Sequence, residues 1–240
     1  MLLRTEGLAG GLTRRIMPGD IIAGGELLAP GALTTVGAGT WLAAQIATGI
    51  ITRTGPTGAY TDTTDTAANI LAALSGNNVY TDVDIGNTFR MLGINTVAFL
   101  GTVAAGRGVT LDNTNGTAVT NLTASLVREY LWTVLNATPE ITLPCFFTTG
   151  TKVVNFLLPN GAVSLPMVGS NGQIGTGPVT PGQVLTGTGI TAGTKVLGLI
   201  QGQGGVIGVT TDTNTASTQT LSSITFSPNL LLSSLGTRGL

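Results

Sequence analysis

The chain has no histidine, so Ser-His-Asp and Cys-His mechanisms and all histidine metal sites are outside its reach. Charge is scarce as well. Asp, Glu, Lys and Arg make up 9% of the 240 residues, where about 25% is usual, and the only lysines are Lys152 and Lys195. A free monomer normally keeps a charged, mixed surface, so this composition predicts an exterior largely covered in an assembly. The net charge of -1 gives no electrostatic footprint for a phosphate backbone, and direct contact with nucleic acid is not expected. The one cysteine, Cys145, excludes an intrachain disulfide and a cysteine-pair zinc site; beside Leu143, Phe146 and Phe147 it reads as a buried, inert thiol. No run of about 18 apolar residues occurs, since Asn95 and Thr96 interrupt the most apolar stretch, Leu92 to Ala105, and no membrane contact is expected. Glu6, Arg14 and Arg15 interrupt the place where a secretory signal would be apolar, which predicts synthesis in a cytoplasm.

What fills the space is apolar, small and polar. Hydrophobic residues reach 42%, mean hydropathy is +0.41, and the 36 glycines supply turns while the many threonines favour strands. The length suits one or two domains.

Breakers divide the chain. Gly10-Gly11, Pro18-Gly19, Gly24-Gly25 and Pro30-Gly31 exclude a long element in residues 1–40, yet the leucines and isoleucines there are not those of a disordered tail. An extended arm lying on another surface is expected. From Trp41 the pattern reads as strands (Trp41 to Ile46, then Gly49 to Arg53), followed by one short helix from about Asp62 or Thr63 through Leu74. Further strands are predicted at Thr88–Ile94, Val97–Val103, Val109–Leu111, Val127–Leu135 and Ile141–Phe147. The expected fold is mainly β: a jelly-roll or β-sandwich domain over 41–149 with one short helix, and a smaller antiparallel β module over 150–228. In the module, strands are predicted at Val184–Thr186, Thr194–Gln201, Val206–Thr211 and Thr220–Phe226, with a tight glycine turn at Gln201–Gly205. Residues 229–240 form an apolar C-terminal tail.

Candidate chemistry is thin. Gly187-Thr188-Gly189-Ile190-Thr191-Ala192 matches a loose dinucleotide fingerprint, but a strand is predicted after it where the motif needs a helix. Gly193-Thr194-Lys195 misplaces the lysine of a phosphate-binding loop. Asp62 with Asp65, and Asp82 with Asp84, could be glycosidase carboxylates or calcium ligands; helix capping and a polar loop account for them more simply. Tyr130 and Trp132 share one strand face and read as core rather than as a sugar platform. The glycosylation spacings at Asn115 and Asn121 read as turns.

Three runs carry a resemblance: Gly49-Ile50-Ile51-Thr52-Arg53-Thr54-Gly55-Pro56, Thr61 to Ile70, and Gly106-Arg107-Gly108-Val109-Thr110-Leu111. Over about 50–145 the chain resembles β-sandwich modules of tailed-bacteriophage virion proteins, among them capsid decoration and cement proteins and tail-associated proteins. Pro181 to Ile190, with Gly193-Thr194 and Gln203-Gly204-Gly205, is similar to a short β repeat appended to phage structural proteins. The resemblance implies no catalytic, cofactor or metal residues and no small-molecule substrate. It implies a decoration protein on the capsid exterior, with the major capsid protein and copies of itself, expected as a homotrimer, for partners. The alternatives are a tail adaptor or fibre-base protein and a carbohydrate-binding receptor protein. The expected contact residues are the apolar and basic positions of the two arms: Leu2, Leu3, Arg4, Leu8, Leu12, Arg14, Arg15 and Ile16, and Leu230, Leu231, Leu232 and Leu235.

Overall fold

A computed structural model describes residues 31–75, 84–112, 121–157, 179–202 and 205–239. It is mainly β. In chain order the elements are β1 (Gly31–Leu33), β2 (Thr40–Trp41), α1 (Ala43–Ala47), β3 (Ile50–Arg53), β4 (Tyr60–Thr64), α2 (Ala67–Ser75), β5 (Thr88–Asn95), β6 (Gly101–Ala104), β7 (Val109–Leu111) and β8 (Asn121–Leu122). They continue with β9 (Leu126–Asn136), β10 (Ile141–Phe147), β11 (Val153–Phe156), β12 (Val184–Thr186), β13 (Val196–Gly202), β14 (Gly205–Thr211), β15 (Gln219–Ser227) and β16 (Asn229–Gly239). The chain forms two compact units, one of residues 1–106, 111–134 and 231–240, the other of 107–110 and 135–230.

In the first unit, successive strands alternate between two sheets, ordered β1-β3-β5-β9-β16-β7 and β2-β4-β6-β8. Strands β1, β3 and β5 pair parallel, as do β2, β4 and β6, so each pair β1β2, β3β4 and β5β6 is one coil stacked on the last. Gly31 pairs with Ile51, twenty positions on, and Ile51 with Gly93, forty-two positions on; α2 lies within the longer coil. The antiparallel strands β8 and β9 continue the sheets beyond the third coil. A jelly roll is wholly antiparallel, so the coiled, parallel order is a departure from that expectation.

Side chains from the two sheets meet between them. Trp41 of β2 packs edge-on against Tyr130 of β9 with ring centroids 5.5 Å apart. Phe89 and Trp132, opposite each other on β5 and β9, stack at 5.7 Å. Both Tyr130 and Trp132 are fully buried, as their shared strand face predicted.

Three local expectations change. Trp41–Ile46 is not one strand: after β2 the alanine-rich run forms α1, whose first amide, on Ala43, donates to Asp65 Oδ2 at 2.9 Å while the Gln45 carboxamide accepts from the Leu42 N–H at 3.1 Å. The chain therefore has two helices among the described residues. Asp62 does not cap α2, for it lies in β4; Thr66 does, its Oγ1 accepting the Asn69 N–H at 3.2 Å. The segment 229–240, expected as a tail, carries β16, which enters the first sheet between β9 and β7.

The second unit closes on itself. Its six strands run antiparallel in the order β12-β15-β10-β11-β14-β13. The two end strands meet at the antiparallel bridge Val184↔Lys195, with Val196 N–H donating to Gln183 O at 3.0 Å and Leu185 N–H to Thr194 O at 2.8 Å. This is a small barrel. Its interior holds Cys145, Phe147, Val154, Phe156, Val206, Val209, Ile224 and Phe226, with Phe156 edge-on to Phe226. Strand β10, expected in the first domain, belongs here because it pairs with both β11 and β15.

Close approach fixes one glycine of the first unit. A Cβ on Gly101 would run into the ring of Tyr60, the residue paired with it across β4 and β6. Gly101→Ala is expected to cost about 1–3 kcal/mol, read as a lower urea midpoint. Gly58→Ala, where a Cβ meets nothing within 4 Å, should leave the midpoint unchanged.

Candidate functional site

The alternation that buries Ile51 also turns Arg53 inward, and the alternation that buries Tyr60 turns Asp62 inward. The two side chains are essentially unexposed and meet with Arg53 Nε 3.0 Å from Asp62 Oδ2. The rest of the guanidinium works on the turn between β1 and β2: Nη1 donates to the carbonyls of Leu33 at 3.0 Å and Thr35 at 2.6 Å, and Nη2 donates to that of Gly37. Asp62 in turn accepts from the Gly39 N–H at 2.9 Å and from Trp41 Nε1 at 3.1 Å. The guanidinium also lies over the Tyr60 ring, 4.7 Å from its centroid. Every group of the pair faces a partner within the stack. The arrangement holds one coil to the next; it offers no open position for a substrate.

The Tyr60 and Tyr130 hydroxyls are buried without a hydrogen-bond partner among the described residues. Burial pushes both phenols well above their ordinary value, and the nearby Asp62 carboxylate adds to this in each. In the barrel, burial pushes the Cys145 thiol up to about 12. Among the described residues no group of three or more His, Cys, Asp or Glu is placed to hold a metal ion. Asp65 is engaged at the starts of both helices, and Asp82 lies outside the described residues. The fingerprint-like Gly187–Ala192 is a loop after β12, with Gly189 at φ +81, and leads to strand β13. It has no helix N-terminus to aim at a phosphate.

The barrel exterior is a different kind of surface. The unit carries five charged residues: Arg107 and Glu140, paired at 2.6 Å, with Lys152, Lys195 and Asp212. On β10, Cys145 and Phe147 point inward, so Pro144 and Phe146 point out, and Phe146 is 40% exposed. Beside them, Leu157 donates its N–H to Pro144 O at 2.8 Å and is 44% exposed. On β15, Leu221 lies between Ser222, paired with Cys145, and Gln219, paired with Phe147, and is 63% exposed. Pro144, Phe146, Leu157 and Leu221 thus form an apolar stripe across three strands, next to Asn155, Ser223 and Thr225.

No known protein family, curated protein or solved structure matches the chain.

The contact residues expected from sequence divide in two. Leu2, Leu3, Arg4, Leu8, Leu12, Arg14, Arg15 and Ile16 lie outside the described residues. Of the C-terminal set, Leu230 and Leu232 are fully buried in β16, Leu231 is partly buried, and Leu235 is 46% exposed. Leu230 and Leu232 are therefore covered within the chain and are not available for contact with a neighbour, whereas Leu235 is exposed. Sequence reasoning missed the Arg53–Asp62 pair, although Ile51 and Arg53 share a strand face, and it missed the stripe for want of the barrel's inside and outside.

Removing one partner of a buried ion pair strands the other. Arg53→Ala is expected to cost roughly 3–5 kcal/mol in chemical denaturation, whereas Arg53→Met combined with Asp62→Leu should cost less than the two single changes added together. Alkaline pH supplies a second test. The folded state keeps a Cys145 proton that the unfolded chain releases above its ordinary value of 9.0, so stability should be level below that pH and fall as pH rises towards about 12. Tyr60 and Tyr130 act with the same sign from their ordinary value of 10.0 upward. Urea midpoints should decline above pH 9.0, and Cys145→Ala should remove the earliest part of the decline.

Proposed function

We propose that the chain is a structural protein of a bacteriophage particle, a decoration or cement protein that binds the outside of the capsid shell. The observation that carries this reading is the exposed stripe of Pro144, Phe146, Leu157 and Leu221 on a unit with only five charged residues. A neutral apolar strip flanked by Thr, Ser and Asn suits permanent contact with a protein surface rather than exchange with small ligands. The resemblance of Gly49–Pro56, Thr61–Ile70 and Pro181–Ile190 to phage virion modules supports the same reading, and so does the sandwich-like pairing of two sheets in the first unit. The partners are then the major capsid protein and further copies of this chain. The buried Arg53–Asp62 pair has a structural role in this reading, and the protein is not an enzyme.

Co-sedimentation with shells that lack the protein tests the stripe. Phe146→Asp with Leu221→Asp should weaken shell binding roughly tenfold to a hundredfold while thermal unfolding of the free protein is unchanged. Unaltered binding would remove the stripe from the interface. Immunogold labelling of whole particles tests the location: label over the entire shell is expected, and label confined to one vertex would assign the protein to the tail instead.

A further inference from the structure

One edge of the first unit is built from turns laid side by side. Those after β1, β3 and β5, and the one between β8 and β9, are joined through the backbone: Thr54 N–H donates to Leu33 O at 3.2 Å, Thr96 N–H to Arg53 O at 3.1 Å and Ser125 N–H to Val97 O at 3.2 Å. A Cβ on Gly55 would strike the carbonyls of Thr34 and Thr35, so the first two turns touch directly. Tyr60 N–H donates to Leu100 O at 3.3 Å, which brings the end of the second turn against the end of the third.

Buried polar side chains hold these turns from behind. Arg53 binds the carbonyls of Leu33, Thr35 and Gly37, which fixes the first turn. Asn95, paired with Arg53 across β3 and β5 and likewise fully buried, donates to Phe99 O at 2.8 Å and accepts the Val97 N–H at 3.3 Å, which fixes the third. What the turns display is thus set before any partner arrives, and a preorganised surface loses little freedom on binding. They display apolar side chains: Val36 is 64% exposed, and Phe99 and Leu100 are exposed as well. Residues 34–39, 54–59, 96–100 and 123–125 include no charged residue, whereas Arg90 and Glu129 of the same unit pair on β5 and β9.

We propose that this turn edge is where two copies of the chain meet about a two-fold axis, with Val36, Phe99 and Leu100 at the centre of the contact and the exposed Thr34, Thr35, Thr54 and Thr57 at its rim. The chemistry of the edge selects a second copy as the occupant. In a two-fold contact the same patch faces itself, so like charges would be brought together, and here there are none. A hydroxyl both donates and accepts, so a threonine rim can pair with its own image, and the apolar centre can bury itself against the same residues. The contact rests on the reading above in one respect, that further copies of the chain are partners, and it uses residues of the first unit alone. It pairs two copies; grouping in threes would need a further surface.

Sedimentation equilibrium of the purified full-length protein, without shells, tests this. The mass should pass from monomer to dimer as concentration rises towards about 1 mM. Val36→Lys and Phe99→Lys should each raise the dissociation constant about tenfold or more, whereas Phe146→Asp with Leu221→Asp should leave it unchanged. A monomer at every concentration overturns the proposal, and so does a dimer that persists unaltered in folded Val36→Lys. If the lysine variants do not fold, hydrogen exchange on the unmodified protein decides: peptides covering residues 34–38 and 97–100 should exchange about tenfold more slowly at high concentration than at low, and rates independent of concentration overturn the contact. Because shells are absent, a negative result here leaves the capsid reading standing, and loss of shell binding with the dimer intact counts against that reading alone.

Discussion

The first unit depends on the burial of one arginine. A turn between stacked strands leaves carbonyl oxygens short of partners, and one left alone would carry a desolvation cost of about 1–3 kcal/mol; of those here, only the Leu33 carbonyl also accepts a backbone N–H among the described residues, that of Thr54 at 3.2 Å. Arg53 answers three of them at once, those of Leu33, Thr35 and Gly37, and is itself neutralised by Asp62. Neither residue could be buried without the other. Because the guanidinium sits in the second coil and its acceptors in the turn of the first, the pair also fixes which coil lies on which. A flat guanidinium with donors on three sides suits that task in a way the point charge of a lysine does not.

Much of the strand inventory was legible. The spans of β5, β7, β9, β10, β12, β14 and β15 follow from alternation and turn residues, and α2 from its apolar spacing and its Ser75 end. What stayed hidden was order. Parallel stacking shows in sequence only through the coil period, and the second coil is about twice the length of the first because α2 interrupts it, so no regular repeat appears. Alternation also cannot say which sheet a strand joins, and β10 was therefore placed with its sequence neighbours rather than with β11 and β15. The short helix α1 was read as strand because its stability comes from Asp65, twenty-two residues ahead of the amide it accepts from. The stripe on the barrel could not be found until Cys145 and Phe147 defined the inside.

The two units handle scarce charge in different ways. In the first, Arg53 and Asp62 are turned inward and serve as structural connectors, while Arg90 and Glu129 pair nearer the surface. In the second, the core cluster is apolar, the buried polar residues are uncharged Asn, Gln, Ser and Thr, and none of the few charged residues is buried. Closure of the barrel through Val184 and Lys195 matters for such a neutral surface. An open sheet with so little charge on its rim would invite strand addition from neighbouring molecules, whereas a closed one offers no row of unpaired amides. Apolar exterior residues can then be kept for side-chain contact alone.

Strand β16 brings in the order of synthesis. It follows the entire barrel in the chain, yet its place in the first sheet is internal, between β9 and β7. While a nascent chain is being made, the barrel can close as soon as Ser227 has emerged, but the older first sheet waits with a gap until the residues from Asn229 to Gly239 arrive. A strand made after the barrel thus completes a sheet whose other strands precede the barrel. A chain cut short before Asn229 would leave the facing edges of β9 and β7 unpaired, two rows of open backbone groups that a strand of another molecule could join.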